Sequence, residues 1–108
     1  MYKGTHDALP DTRNDQVLIY INGTLTPREH AKVSVFDSGF LVGDGVWEGL
    51  RLHHDVFVFL DRHLDRLYQG AKAISLDIGM TRDELTAALW QTVRANDMHD
   101  NVHVRLMV

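Results

Sequence analysis

DSGFLVGDGVWEGLRL, residues Asp37 to Leu52, sets four glycines (Gly39, Gly43, Gly45 and Gly49) among acidic and aromatic residues in the middle of the chain. Glycine permits positive φ and lets another group approach the backbone closely, so such a cluster between strand-like segments reads as a turn shaped around a ligand. The same composition also suits a plain loop that caps a sheet, because Gly and Asp are ordinary turn residues. The spacing Gly43-x-Gly45-x-x-x-Gly49 is one residue longer than the dinucleotide fingerprint and runs into a strand instead of a helix, which excludes a Rossmann reading.

Working outward, Val17 to Ile21 is β-rich and meets Asn22-Gly23, the pair favoured in a two-residue type I′ turn, followed by Thr24-Leu25-Thr26. This is a hairpin. Lys32 to Phe36 alternates and predicts a short strand or extended edge leading into the glycines. After them, Trp47 to Leu52 and Val56 to Leu60 form two β-type runs, and the connection His53-His54-Asp55 is short enough to make them antiparallel neighbours. The period then changes: Leu64, Leu67, Tyr68, Ala71 and Ile74 share a helical face, with Asp61 placed as the cap and an end near Leu76. Thr81-Arg82-Asp83-Glu84 has the form of a capping box and opens a second amphipathic helix that runs to about Asn96. From Asn101 the chain alternates again, with Val102, Val104, Leu106 and Val108 on one face and His103, Arg105 and Met107 on the other. The fold class is α+β, a mostly antiparallel sheet packed with two amphipathic helices. Met1 to Gln16 is polar and aperiodic and is expected to be flexible, which leaves 17–108 as one domain. An apolar strand with no turn after it points to a piece of a longer polypeptide.

Size and composition narrow the function classes. A chain of 108 residues has the size of one domain, and 44% hydrophobic with 24% charged residues is a globular composition. The net charge of −4, without a basic block, argues against a nucleic-acid partner. The sequence has no cysteine, no run approaching a membrane span and no signal-peptide core in Met1 to Pro10, so the expected setting is cytoplasmic.

Three groups of side chains could carry chemistry. His53, His54 and Asp55 invite a metal reading, but consecutive residues point apart and no second ligand cluster is evident, so no metal site is expected. His63 and Arg66 lie three apart near the start of a helix and share a face, an arrangement that suits an oxyanion. On spacing alone, a solvated surface ion pair with Asp61 or Asp65 is the favoured reading of Arg66. Arg105 and His103 lie on the polar face of the last strand, which points to solvent or into a cleft. Glu48 and Arg51, three apart on a strand, should face opposite sides of the sheet.

Taken in order, Asn22-Gly23, GDGVWEGLRL, DRHLDRL and VHVRLMV resemble the N-terminal domain of the fold-type-IV (class IV) pyridoxal-phosphate aminotransferases, over roughly Val17 to Val108. The resemblance implies the small N-terminal α+β domain of those enzymes, with pyridoxal 5′-phosphate as cofactor and Arg66 as the arginine that binds its phosphate. Trp47 stands where relatives line the substrate pocket with Phe or Tyr, and Gly49 continues that wall. His103 and Arg105 match a pocket strand that carries an aromatic residue and a carboxylate-binding arginine in branched-chain enzymes. Val42 stands where several of those carry a tyrosine, and Val42 and His103 are departures from their pattern. Glu48-Gly49-Leu50-Arg51 is similar to the branched-chain form, which implies amino-group transfer between a branched-chain amino acid and a 2-oxo acid, in a homodimer or larger assembly. The alternatives are the D-amino acid aminotransferase or aminodeoxychorismate lyase branch, or a non-catalytic module that binds a phosphorylated ligand or a partner. None of Lys3, Lys32 or Lys72 matches the family's Schiff-base lysine, which is expected beyond Val108, so no catalytic residue is assigned and the 108-residue chain alone is expected to be inactive.

Overall fold

The computed structural model describes Gly4 and residues 10–108. Most of the first nine residues of the segment expected to be flexible thus lie outside the described residues. Thr12–Asn14 form a 3-10 turn in which the Asp11 carboxylate accepts from the Arg13 N–H at 2.9 Å. Arg13 also donates to the carbonyls of Asp100 and Asn101, tying this turn to the loop before the last strand.

The Asn22-Gly23 hairpin forms as expected. Strands β1 (Leu18–Ile21) and β2 (Thr24–Pro27) pair antiparallel with Ile21 opposite Thr24, and Asn22 and Gly23 take φ of 49° and 91°, the type I′ turn. This hairpin is a separate two-stranded sheet. It is joined to the body through Asn96, whose amide accepts from the Leu18 N–H at 2.7 Å and donates to the Leu18 carbonyl at 2.9 Å. One side chain thereby satisfies both backbone groups of a strand residue, as a neighbouring strand would.

The expected strand over Lys32 to Phe36 does not form. Val33 and Val35 are exposed, and the Ser34 hydroxyl accepts from the Phe36 N–H, which closes a local turn. Alternation gives a strand only where an edge is available to pair with it. The glycine-rich stretch then folds as a short helix α1 (Ser38–Val42), capped by the Asp37 carboxylate on the Gly39 N–H and closed by Gly43 at φ 76°. That left-handed position explains one of the four glycines.

The second sheet has the order β4-β3-β5, all antiparallel, with β3 (Trp47–His53) in the centre, β4 (Val56–Phe57) on one side and β5 (Val102–Met107) on the other. β4 is shorter than the expected Val56 to Leu60, because Phe59 turns left-handed at φ 55° and Leu60 already begins helix α2 (Leu60–Ala73). Asp61 therefore lies in the first turn of α2 and is not its cap. Helix α3 (Arg82–Ala95) starts at the expected box: the Thr81 hydroxyl accepts from the Glu84 N–H at 3.1 Å and faces the Glu84 carboxylate at 3.2 Å.

Both helices pack on one face of this sheet. Leu50 and Leu52 of β3 meet Phe57, Leu89 and Val93, with Val102, Val104 and Leu106 of β5 against them, while Leu64, Leu67 and Leu85 form an adjoining cluster. Each fully buried leucine contributes roughly 1.5–3 kcal/mol of apolar burial. β3 pairs with β5 along Trp47 to Leu52, but with β4 only at Leu52 and His53. Beyond one further bond, from the Val58 N–H to the Arg51 carbonyl, the β4 side of Trp47 to Leu50 is an open edge among the described residues.

Candidate active site

Strand parity sorts the candidate residues. On β3, Glu48, Leu50 and Leu52 point inward, while Trp47, Arg51 and His53 point outward. Gly49 lies opposite Arg105, Arg51 opposite His103 and Trp47 opposite Met107, so Trp47, Gly49, His103 and Arg105 share the outer face. The Arg105 guanidinium sits 4.4 Å from the centre of the Trp47 ring, a cation–π contact that holds the charge over the indole. No carboxylate among the described residues pairs with Arg105. The His103 imidazole lies across Gly49: a Cβ there would stand 2.8 Å from His103 Cε1. The glycine is required for that ring position and not for an unusual φ. Val42, exposed at the end of α1, is five residues before Trp47 in the chain and belongs to neither strand.

Arg66 lies on the other side of the sheet. Its Nε and Nη2 donate to the two oxygens of Glu48 at 2.6 and 2.7 Å, and His63 Nδ1 meets Glu48 Oε2 at 2.7 Å. Glu48 is 2% exposed, whereas the Arg66 side chain is 73% exposed. The hydrogen bond from Arg66 holds the Glu48 carboxyl down at about 2; burial opposes this and the His63 contact adds to it. The same bond pushes Arg66 up from its ordinary value. An ionised carboxylate can only accept, so Nδ1 carries the proton in the His63 contact. Arg66 Nη1 and His63 Nε2 have no partner among the described residues. Both residues, with Phe59 and Arg62, line a shallow cavity of about 220 Å³. The left-handed turn at Phe59 places its ring there, with the Arg62 guanidinium 5.5 Å above it.

The ion pair with Asp61 or Asp65 that spacing allowed is not what Arg66 makes; Asp65 pairs with Arg82 at 2.7 Å. Glu48 is the residue that sequence reasoning missed. Its signal was its parity: an acid in register with Leu50 and Leu52 on a core-facing row requires a cation above it. The two groups of candidates, Arg66 inside and Trp47, Gly49, His103 and Arg105 outside, therefore flank the first three residues of β3 where its edge is open. The histidine turn also departs from expectation. His54 and Asp55 take φ of 46° and 61°, and this brings His53 and His54 side by side, ring centres 4.1 Å apart, facing Asp100.

The amino-transferase class IV family matches residues 45–108, and the chain belongs to that family. It is 44% identical over 99 residues to a branched-chain-amino-acid aminotransferase-like protein of Arabidopsis thaliana, covering 92% of this chain and 18% of that one. It is also 44% identical over 90 residues to a putative branched-chain-amino-acid aminotransferase of Methanocaldococcus jannaschii, covering 83% and 31%. Among solved structures, it resembles the branched-chain aminotransferase of Thermoproteus uzoniensis with norvaline (TM-score 0.78, 33% identity, 85% of this chain and 32% of that chain). It resembles to a similar degree a branched-chain amino acid aminotransferase complexed with N-(5′-phosphopyridoxyl)-L-glutamate (TM-score 0.77, 30% identity, 85% and 32%). The chain thus spans a third or less of the length of these relatives. The expected α+β fold and class IV membership are both borne out.

Proposed function

We propose that the chain supplies one wall of the active site of a pyridoxal-phosphate-dependent aminotransferase acting on a branched-chain amino acid and a 2-oxo acid. The observation that carries this reading is the guanidinium of Arg66, held by Glu48 so that Nη1 remains free beside His63 and Arg62. Such a group fits a phosphate: it is cationic, oriented and open to solvent on one side. Arg66 binds the phosphate of the cofactor, and Glu48 keeps the guanidinium plane in place. Around the open edge of β3, Trp47 and Gly49 border the substrate side chain, and Arg105, held over Trp47, meets the substrate carboxylate. His103 narrows the same face where it crosses Gly49, and Val42 borders the pocket from α1. The electron sink for loss of the substrate Cα proton is the pyridine ring of the cofactor. Among the described residues, no lysine lines the cavity or the Trp47–Arg105 face, so none is assigned the transfer of this proton.

The same reading includes a homodimer or larger assembly, supported by the exposure of Phe36, Phe40, Leu41 and Val42 around α1. It also includes a cytoplasmic setting, in keeping with a cysteine-free sequence. None of the described helices is long and apolar enough to cross a membrane. The test is Arg66→Ala in the complete enzyme. Affinity for pyridoxal phosphate should fall by about 1.5–3 kcal/mol, while affinity for pyridoxal, which has no phosphate, should not change. Equal losses for both, or none for either, would remove the phosphate role from Arg66.

A further inference from the structure

We propose that His53, His54 and Asp100 form a binding site for a divalent transition metal ion of the zinc class, at the opposite end of β3 from Trp47. The donor set is two imidazoles and a carboxylate, the borderline nitrogen and oxygen ligands that zinc takes, with a position left open to water. Donor atoms of the three residues all lie within 4.8 Å of one another. His53 Nδ1 stands 3.4 Å from Asp100 Oδ1, and His54 Nδ1 stands 3.7 Å from Oδ2. A tetrahedral ion with bonds of about 2.0–2.1 Å separates its ligand atoms by about 3.3 Å. These spacings run to different oxygens of the one carboxylate; the 3.4 Å spacing of His53 is close to an edge of that tetrahedron, and both are longer than a charge-assisted hydrogen bond. The neighbouring His99 shows the contrast, with Nδ1 2.7 Å from Asp55 and Nε2 2.9 Å from Asp97. Both its nitrogens are occupied, so His99 is not a ligand.

The site is assembled before any ion arrives. The His54 N–H donates to Asp100 Oδ1 at 2.9 Å, and the Asp55 N–H donates to the His99 carbonyl at 2.8 Å, so the β3–β4 turn and the loop before β5 are already joined. The carboxylates of Asp55, Asp97 and Asp100 make the neighbourhood favourable to a cation. Of the two guanidinium groups that reach this loop, Arg13 is neutralised by Asp11, and Arg51 turns to the Asn101 side chain at 3.5 Å. All three ligands are exposed, so the ion exchanges with solvent and binds reversibly. When bound, it ties the turn to the base of the strand that carries His103 and Arg105.

Titration of the untagged 108-residue chain with zinc chloride, followed by calorimetry, tests the assignment. One ion per chain is expected, and cobalt(II) in its place should show the intense visible bands of tetrahedral coordination. Asp100→Asn keeps an acceptor for the His54 N–H, and His54→Asn suits the left-handed φ, so both variants should fold, as far-UV circular dichroism will show. Each should weaken binding about tenfold or more, whereas His99→Gln should leave it unchanged. Absence of saturable binding by the parent chain overturns the proposal. So does binding that survives both ligand substitutions, or that His99→Gln weakens as much as they do.

Discussion

Glu48 is a carboxylate on the core face of a strand, and its environment is tolerable only because two cationic or hydrogen-bonding side chains close over it. Its folded value of about 2 lies below the ordinary 4.5, so it contributes stability that is fully present above about pH 4.5 and is lost as pH falls through about 2. The magnitude is on the order of 2 kcal/mol once the exposed side of Arg66 is discounted for screening. Glu48→Gln should therefore flatten the pH dependence of unfolding between about 4.5 and 2 relative to the parent chain, measured by urea titration at each pH. An unchanged slope would mean that another carboxylate governs acid unfolding. Gly49 makes a second residue-level case. Gly49→Ala pushes a methyl into the His103 ring and should lower stability by about 1 kcal/mol. In a His103→Ala background the same change should be close to neutral, so thermal melts of the four proteins give a coupling energy. A loss that persists without the imidazole would place the constraint in the backbone. Alternation in the sequence put His103 and Arg105 on one face, and only the family resemblance set Trp47 and Gly49 beside them. Alternation could not reveal that an imidazole lies on the glycine, because that depends on the register of two strands far apart in the chain.

At the scale of elements, the legible parts are those whose stabilising contacts lie within a few residues. The Asn22-Gly23 turn and the Thr81 to Glu84 box are local chemistry and appear where the sequence places them. The failures are those in which a partner decides. Lys32 to Phe36 alternates but finds no strand to pair with, and Val56 to Leu60 is cut short when Phe59 turns the chain into α2. That turn has a use that propensity could not disclose. It starts the helix one residue before Asp61, and with it sets where His63 and Arg66 come to lie over β3. A phase error of one residue on a helix rotates a side chain by about 100°. His63 and Arg66 share a face as expected, because their spacing from each other does not depend on that phase. Their partner does, and so Glu48 was not found.

At the scale of the molecule, two sheets share one body, and the bond between them is narrow. The β1–β2 hairpin reaches α3 chiefly through Asn96 and the backbone of Leu18. Asn96→Ala leaves that N–H and carbonyl without protein partners and should cost about 1–3 kcal/mol. The loss should show as faster hydrogen exchange in β1 and β2, with β3 and β5 unaffected. Equal acceleration throughout would mean that the hairpin and the body open as one unit. Fold class was readable at this scale because helices and strands alternate with clear periods. The division into two sheets was not, since no local pattern marks which strands leave an edge unpaired.

The amide of Asn96 also gives the chain a chemical clock. It serves Leu18 because one end of the group donates and the other accepts, and hydrolysis to aspartate would leave two acceptors, one of them against the Leu18 carbonyl. In an aged preparation, the exchange of a single amide for a carboxylate at this position is enough to undo the attachment of an entire hairpin.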